Sequence, residues 1–438
     1  MDNRDLARHI FLAGIKGVLP GKLMNNLFSL KGDRFKIGYQ TIDLDSTGNI
    51  YILGAGKASA SMAHYVIKFL GERIVDGHIV TKYGYYCNLG RIKVTEAGHP
   101  VPDKNSYLAA RELTDIADRA SENDLVICLW SGGGSSLLAD FPDGSGREEM
   151  AIINDILVRS GAGIDEINTV RKHLSHVKGG HLARHIWPAA FVNILLSDVT
   201  GDHPDIIASG PTVPDSSTFT DALRVLEKYQ LLDTFPQASL EYLRKGEQGE
   251  IPENPKPDDI IFSKALTILA GNNRTALQAA MAEAESCGIH AIIIASDLEG
   301  EVEQFASGII DAINSCRYNE NIPKPVCLLF GGEPTVKVSA GGAGGRNQHL
   351  ALTLALKLQD IPGVTLLAGG TDGNDGNTEM AGAVVDLGTI HKARSMDIWP
   401  EQYLEEFNSD GFFKKVGGQI FTGPTMTNVM DIVIAIIE

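Results

Sequence analysis

Short apolar runs alternate with longer segments of helical spacing along the N-terminal half of this chain. The apolar runs lie at residues 50–53, 77–81, 125–130 and 191–196, and the helical spacing lies at residues 58–70 and 107–120. Alternation of strand-like and helix-like segments is the signature of βαβ units, which build a mostly parallel sheet. The pattern therefore predicts an α/β fold whose N-terminal domain is Rossmann-like and doubly wound.

A second α/β domain is predicted after a segment that is poor in apolar residues. Residues 246–259 hold three prolines among charged and polar residues, so we expect no core element there. Beyond it, the spacing at residues 265–269, 275–286 and 290–295 predicts another βαβ unit. We therefore predict an N-terminal domain of residues 1–250 and a C-terminal α/β domain of residues 251–438.

Five short segments rich in glycine or acidic residues each follow or end a strand-like run. They are Gly54–Ala58, Ser131–Ser136, Ser197–Asp202, Gly341–Gln348 and Gly369–Gly376. Loops at the carboxyl ends of strands are where open α/β sheets bind ligands, and glycine lets backbone N–H groups approach anionic oxygens closely. Because Lys57 and Arg346 lie within these segments, the set predicts a protein that handles phosphate.

The first loop completes neither of two common nucleotide-binding motifs. Gly54-x-Gly56-x-x-Ser59 lacks the third glycine of a dinucleotide fingerprint, and no acidic residue ends the second predicted strand. Tyr51 stands where a Walker A loop has its first glycine. Lys57 at a helix start would still direct an ammonium group and free N–H groups at one anion. A solvated lysine beside a structural turn is the alternative, and the motif alone does not decide between them.

Three consecutive glycines form the centre of the second loop. Leu137 replaces the closing glycine of a nucleophile elbow, so the loop does not present a catalytic serine of that type. A flexible turn is the alternative, but consecutive glycines cost backbone entropy, which favours a nest of N–H donors for a ligand. The residues expected to contact phosphate are Ser131, Gly132, Gly133, Gly134 and Ser135, together with Gly54 and Gly56 of the first loop.

Two pairs of aspartates follow predicted strands. Asp198 and Asp202 are separated by four positions with Gly201 between them, and Asp372 and Asp375 form a similar pair. Carboxylates held in this way can coordinate Mg²⁺ directly or through water. An Asx-turn that satisfies its own backbone is an equally good explanation for each single aspartate. We assign Asp198 and Asp202 to the metal, and Asp372 to orienting a substrate hydroxyl or acting as a weak base.

Arg346 follows a glycine-rich stretch at an apparent helix start. A guanidinium in that place can hold phosphate oxygens bidentately and stays charged at any working pH. The adjacent Asn347 and Gln348 are expected to bind the same phosphate or substrate. A surface arginine that caps a loop is the alternative, and the glycine-rich context favours function.

The overall charge restricts the partners. The net charge is -17, with 55 acidic residues against 38 basic ones, so we expect neither nucleic acid nor an anionic membrane as a partner. A cleft that binds a small anion must therefore be locally basic. The five cysteines form no metal or disulfide pattern, and the N-terminus lacks a leader pattern, so we expect a cytoplasmic protein. Whether the chain forms homo-oligomers stays open.

Taken in order, the motifs resemble the glycerate kinase type II family, whose C-terminal domain is called MOFRL. The resemblance covers nearly the whole chain. It runs through Gly54–Lys57, Glu96–Asp103, Ser131–Ser135, Val170–Ser175, Ser197–Asp202, Ala208–Thr212, Gly331–Thr335, Gly345–Gln348, Gly370–Gly376 and Gly423–Asn428.

The resemblance implies ATP- and Mg²⁺-dependent phosphorylation of D-glycerate, with 2-phosphoglycerate as the product. It marks Lys57 and Arg346 as the catalytic pair and places the MOFRL region at about residues 326–438. Because the candidate groups fall on both sides of the proline-rich boundary, we expect an active site in the cleft between the two domains. Two other classes of protein remain open. An NAD(P)H-dependent hydroxypyruvate reductase would need the dinucleotide fingerprint that is incomplete here. A non-catalytic protein that binds sugar acids or nucleotides would not need aspartate pairs beside a lysine and an arginine.

Overall fold

The structure is a computed structural model that describes residues 1–337 and 341–438. Its helices are α1 (Asn3–Gly17), α2 (Pro20–Leu27), α3 (Ser59–Leu70), α4 (Lys104–Ala117), α5 (Gly134–Leu137), α6 (Arg147–Arg159), α7 (Ile164–His173), α8 (His181–Ile186), α9 (Phe219–Lys228), α10 (Gln237–Glu247), α11 (Asn273–Ser286), α12 (Val302–Arg317), α13 (Arg346–Lys357), α14 (Leu387–Ser395), α15 (Pro400–Glu405) and α16 (Ser409–Val416). Its strands are β1 (Phe28–Lys31), β2 (Arg34–Ile37), β3 (Gln40–Asp43), β4 (Ile50–Ala55), β5 (Ile74–Lys82), β6 (Lys93–Ala97), β7 (Leu125–Ser131), β8 (Ala190–Leu196), β9 (Ala265–Gly271), β10 (His290–Glu301), β11 (Val326–Thr335), β12 (Val364–Gly370), β13 (Gly382–Asp386), β14 (Gln419–Ile420) and β15 (Asp431–Ile437). Within these described residues, no helix has the length and apolar character needed to cross a membrane.

The described chain divides into two compact units that are both discontinuous in sequence. The Rossmann-like unit comprises residues 24–196 and 203–270, and the mixed-sheet unit comprises residues 1–23, 197–202 and 271–438. This division differs from the predicted boundary between residues 250 and 251. Helix α1 joins the C-terminal residues because it packs closely on α11, where a carbon added at Gly17 would clash with Ala279. Strand β9 joins the other unit because it extends that unit's sheet.

The Rossmann-like unit is built on a six-stranded sheet of order β6–β5–β4–β7–β8–β9. Strand β4 is parallel to β5 and β7, β5 is parallel to β6, and β7 is parallel to β8. Numbered within the unit, this is the strand order 3-2-1-4-5-6 of a doubly wound Rossmann fold. Every residue of β4 and β7 is buried, as expected for strands covered on both faces. The predicted fold class is confirmed, and the strand order reverses between β4 and β7.

The mixed-sheet unit is built on a second six-stranded sheet, of order β10–β11–β15–β12–β13–β14. Strand β10 is parallel to β11, whereas β15 is antiparallel to both of its neighbours, β11 and β12. All seven residues of β15 are buried, and its side chains share one core with apolar residues of α12, α13 and α16. The last strand of the chain is therefore central to this sheet.

The predicted βαβ unit of residues 265–295 is wrong. The strand–helix–strand pattern is present as β9, α11 and β10, but β9 lies in the first sheet and β10 in the second. Strand β9 is held beside β8 by a hydrogen bond from the Phe191 N–H to the Lys264 carbonyl and by one from the Asn193 amide to the Thr267 hydroxyl. Local periodicity cannot distinguish such a crossing between sheets from a crossover within one sheet.

The proline-rich segment at residues 246–259 contains a buried polar anchor. Asn254 is 1% exposed, its Nδ2 donates to Asp215 at 2.8 Å, and its Oδ1 lies 2.8 Å from Nε2 of His181. No helix or strand lies between Glu247 and Ile260, as expected, but the segment is nevertheless anchored to the interior through Asn254. Composition gave no sign of this anchor because it depends on hydrogen bonds of a polar side chain.

Candidate active site

The two glycine loops of the Rossmann-like unit are bonded to each other where the strand order reverses. The first loop follows β4 and the second follows β7. The backbone N–H of Lys57 donates to the Gly132 carbonyl at 2.9 Å, and that of Ala58 donates to Oγ of Ser131 at 3.0 Å. Ligands of open α/β sheets bind at this switch point, beyond the carboxyl ends of the strands. The structure thus places Lys57 beside the second loop at the position where the fold favours a ligand.

Close backbone approach explains the glycines of these loops. Gly56 has φ +138°, and any side chain there would clash with Ser131. Gly133 has φ +82°, and a carbon added to it would lie 2.8 Å from Cδ2 of His99 and 3.7 Å from Cγ of Lys57. A β-carbon at Gly54 would likewise clash with the carbonyl of Leu129. The conformation of both loops therefore depends on glycine.

The serines of the second loop differ in what they can contact. Ser131 is fully buried, and its hydroxyl accepts from Ala58 and lies 3.2 Å from the hydroxyl of Ser59. This hydroxyl locks the two loops together. Ser135, within α5, is only partly buried and lies 2.8 Å from the hydroxyl of Ser209. Phosphate binding by these residues stays a prediction.

The metal candidates Asp198 and Asp202 lie in the mixed-sheet unit. Oδ2 of Asp198 accepts from the Asn428 amide at 2.8 Å, and Oδ2 of Asp202 accepts from the Asn272 amide. Gly201 between them has φ +78°, so the chain turns sharply here. Each aspartate thus has a neutral amide donor on one oxygen, which orients the carboxylate while leaving its charge in place.

Arg346 is fixed by two carboxylates. Its Nε and Nη2 donate to the two oxygens of Asp431 at 2.6 and 3.1 Å, and its Nη1 donates to Glu333. Asp431 is 1% exposed, whereas the Arg346 side chain is 34% exposed. Burial alone would lower the pKa of Arg346, but the charges of Asp431 and Glu333 outweigh burial and raise it. The three groups together carry a net charge of −1, one cation against two anions.

The N-terminus of α13 is already filled by a carboxylate of the protein. Oδ1 of Asp375 accepts from the backbone N–H of Asn347 at 2.8 Å, and Oδ2 accepts from that of Gln348 at 2.8 Å. Burial raises the pKa of Asp375 to about 6; the N–H donors oppose this rise and the charge of Asp431 adds to it. Asp375 thus occupies the helix end at which an anion is favoured. The backbone N–H groups of both predicted phosphate contacts are engaged by it.

Asp372 shows the Asx-turn that the sequence left as an alternative. Its Oδ1 accepts from the backbone N–H of Asn374 at 3.0 Å, two residues further on. A catalytic role for Asp372 stays a prediction.

Two carboxylates of this site were missed by sequence reasoning. Glu333 lies in the Gly331–Thr335 motif but received no role, and Asp431 opens the buried strand β15. An acidic residue at the start of an apolar run was the available signal for Asp431. These features define an α/β protein with two glycine loops bonded together at a Rossmann switch point and a carboxylate-fixed arginine in a second α/β unit.

Comparisons with known proteins identify the family. The model of a domain of unknown function (DUF4147) matches residues 6–244, and the MOFRL family model matches residues 326–431. A glycerate 2-kinase of Pyrococcus horikoshii is 41% identical over 100% of this chain and 98% of its own. A putative hydroxypyruvate reductase of Agrobacterium vitis is 39% identical over 88% of this chain and 86% of its own. The crystal structure of a glycerate kinase from Thermotoga maritima matches with a TM-score of 0.86 at 38% identity, covering 99% of each chain. The chain belongs to the glycerate kinase type II family.

Proposed function

We propose that this protein transfers the γ-phosphoryl group of ATP to D-glycerate and forms 2-phosphoglycerate. The observation that carries the proposal is the pair of glycine loops bonded together at the Rossmann switch point with Lys57 between them. Full-length similarity to a glycerate 2-kinase supports it. In this reaction the C2 hydroxyl oxygen attacks the γ-phosphorus, the bond to the β,γ-bridging oxygen breaks, and ADP leaves.

Lys57 and Arg346 supply the donors in this proposal. Phosphoryl transfer passes through a loose transition state, so catalysis consists mainly of positioning and charge stabilisation. Lys57 adds an ammonium group beside the glycine loops. Arg346 acts as an oriented hydrogen-bond donor, because the ion pairs with Asp431 and Glu333 fix the plane of its guanidinium group and offset its positive charge. Asp372 accepts the hydrogen bond of the attacking hydroxyl and takes up its proton.

Asp198 and Asp202 are the residues that would hold Mg²⁺. Each of the two carboxylates accepts from an amide, and a pair of carboxylates matches the ligand set that Mg²⁺ takes, since this ion uses one or two carboxylates and keeps several waters. When bound, Mg²⁺ neutralises charge on the phosphate oxygens.

The reductase class is favoured by the names of two relatives and by the strand order. Two features of the structure count against it. Ser59 takes the place of the third fingerprint glycine and its hydroxyl donates to the Leu129 carbonyl at 2.9 Å. Strand β5 ends at Lys82, where a dinucleotide fold that binds NAD has an acidic residue for the ribose.

One incubation separates the two functions. Purified protein with ATP, Mg²⁺ and D-glycerate should release ADP only when glycerate is present, and phosphorus NMR should identify 2-phosphoglycerate. A parallel assay should follow NADH and NADPH oxidation in the presence of hydroxypyruvate. Nucleotide oxidation without glycerate-dependent ADP release would overturn the kinase proposal.

A further inference from the structure

A large cavity opens in the Rossmann-like unit next to the second glycine loop. Its volume is about 950 Å³, and it is lined by parts of α4, α6 and α7 and by the segment from Ser135 to Asp140. Ser135 and Ser136 in its wall directly follow the glycine loop. We call it the α4–α6–α7 cavity.

Arg171 lines the α4–α6–α7 cavity and pairs with a neutral side chain. Nε of Arg171 donates to the Asn154 amide oxygen at 2.8 Å, and Arg171 forms no ion pair within residues 1–337 and 341–438. Burial lowers the pKa of Arg171, and no carboxylate offsets that effect. A partly desolvated guanidinium without a counter-charge is costly to a fold. It is the expected state of a residue whose counter-charge is a ligand.

A second cation, Lys178, also lines the cavity. It is 6% exposed, its Nζ donates to the Leu138 carbonyl at 2.6 Å, and it lies 3.9 Å from Oδ1 of Asp140. Burial lowers the pKa of Lys178, the charge of Asp140 opposes this, and the charge of Arg171 lowers it further. The two cations are thus close enough to repel each other, and Asp140, with a side chain that is 16% exposed, is the carboxylate near Lys178.

Acidic residues also line the α4–α6–α7 cavity, and two of them have local partners. Asp155 pairs with Arg159 at 2.7 Å, and Asp103 caps the first turn of α4. Glu148 lies in the first turn of α6, where the helix dipole favours it. The lining carries four cations and four carboxylates in a protein whose net charge is -17, and Arg171 is a cation among them that pairs with no carboxylate of the described residues.

The lining also includes apolar side chains, which we call the apolar wall. Val101 and Val158 line it while 69% and 63% exposed, and Met150 adds a buried thioether. Tyr107 also lines the cavity and packs on Phe141 with ring centroids 5.7 Å apart. A lining that contains both apolar or aromatic side chains and cationic ones suits a ligand with a flat apolar end and an anionic end.

The size of the cavity decides between the two anionic substrates. Glycerate has seven non-hydrogen atoms, whereas ligand pockets of about 300–1,000 Å³ hold molecules of drug size. We propose that the α4–α6–α7 cavity binds the nucleoside triphosphate of the kinase reaction, with Arg171 and Lys178 facing its phosphate oxygens and the apolar wall facing its base. This assignment rests on the proposed function, in which ATP is the phosphoryl donor.

The test is direct binding of ATP to the full-length protein, measured by isothermal titration calorimetry without glycerate. Arg171→Met should weaken ATP binding by about 10- to 100-fold, the equivalent of losing hydrogen bonds to a charged group. The same variant should keep or raise the thermal unfolding midpoint, because it removes a desolvated charge. A purely structural arginine would show the reverse, a lower midpoint with unchanged ATP affinity.

Two further variants keep the test independent of folding. Arg244→Met removes an exposed arginine on α10 that does not line the cavity, so ATP affinity should stay at the wild-type value. Val158→Asp changes an exposed side chain of the apolar wall, and it should weaken ATP binding by about 3- to 10-fold.

The outcomes separate this assignment from the proposed function. Unchanged ATP affinity in both Arg171→Met and Val158→Asp, with glycerate kinase activity present in the wild type, would overturn the cavity assignment and leave the kinase proposal standing. A higher KM for D-glycerate with unchanged ATP affinity would also overturn it, since the cavity would then hold the hydroxy acid. If both variants bind ATP more weakly but the wild-type protein has no glycerate kinase activity, the result would support the nucleotide site and refute D-glycerate as the substrate.

Discussion

Replacing Asp431 by asparagine should impair the proposed catalytic role of Arg346, although the arginine itself is unchanged. Asp431→Asn keeps the size of the side chain, but one carboxylate oxygen becomes an amide donor that faces the guanidinium. Asp431 accepts from Nε and Nη2 of Arg346 at 2.6 and 3.1 Å. The asparagine offers a single neutral acceptor in place of these two oxygens, while Glu333 still accepts from Nη1. We therefore expect a guanidinium that is present but loosely oriented.

The exposure of the Arg346 side chain determines how much stability the substitution should cost. Hydrogen bonds to charged groups contribute about 1.5–3 kcal/mol each, but the Arg346 side chain is 34% exposed, so water replaces part of what is lost. We expect a loss of unfolding free energy of about 1–2 kcal/mol. A catalytic group displaced by about 1 Å costs on the order of 10²-fold in rate, so kcat should fall by about 10- to 100-fold.

A double-mutant cycle measures whether Asp431 acts through Arg346. Arg346→Ala should lower kcat by about 10²- to 10³-fold, the scale of losing one preorganised donor. Adding Asp431→Asn to Arg346→Ala should change kcat by less than about 3-fold, because no guanidinium remains to be oriented. The assay is ATP- and glycerate-dependent ADP release, with circular dichroism to confirm folding of each variant.

The cycle has a second readout at Asp375. The charge of Asp431 contributes to the raised pKa of Asp375, so Asp431→Asn should lower that pKa. NMR titration of the Asp375 carboxyl carbon would report the change. Wild-type kcat in Asp431→Asn, or an equal loss with and without Arg346, would refute the view that Asp431 positions the arginine.

Three further predictions concern other groups. Lys57→Ala should lower kcat by about 10²- to 10³-fold in a folded protein, and a variant that keeps most of its kcat would remove Lys57 from the mechanism. Asp198→Asn should raise the Mg²⁺ concentration that gives half-maximal rate, whereas Asp372→Asn should mainly lower kcat; an unchanged Mg²⁺ dependence in the first variant would place the metal elsewhere. The folded pKa of Asp375 is raised from 3.8 to about 6, so the folded state binds the proton more tightly and the unfolding free energy should fall as the pH rises from about 4 to about 6. Asp375→Asn should remove that component of the pH dependence in urea titrations, and an identical slope in both proteins would contradict the assignment.

The sequence predicted the Rossmann-like sheet well because its strands are buried on both faces. Strands such as β4 and β7 then appear as unbroken apolar runs that end in glycine turns, a strong local signal. The second sheet gave no such signal for its topology. Pairing of β15 with β11 and β12 joins residues about 60 to 110 positions apart, and nothing local to residues 431–437 specifies those partners.

The candidate site shows the same limit. The glycine loops could be found because their conformation is local, and Gly56 and Gly133 indeed have positive φ. The partners of Arg346 could not, since Glu333 and Asp431 are 13 and 85 residues away in sequence. Asp375 was found only as a member of an aspartate pair, and its role as the cap of α13 depends on a contact across 27 and 28 residues.

The net charge was the other basis for predicting a site from the sequence, and the structure changes which residues this argument selects. A protein with a net charge of -17 needs local positive charge to bind an anionic nucleotide. Arg346 does not provide that charge, because two carboxylates outnumber it and leave its group at −1. In the proposed nucleotide site Arg171 and Lys178 provide it, since Arg171 pairs with the Asn154 amide instead of a carboxylate. Binding and catalysis should therefore separate on substitution: changes at Arg171 should act on ATP affinity, and changes at Asp431 and Arg346 should act on kcat.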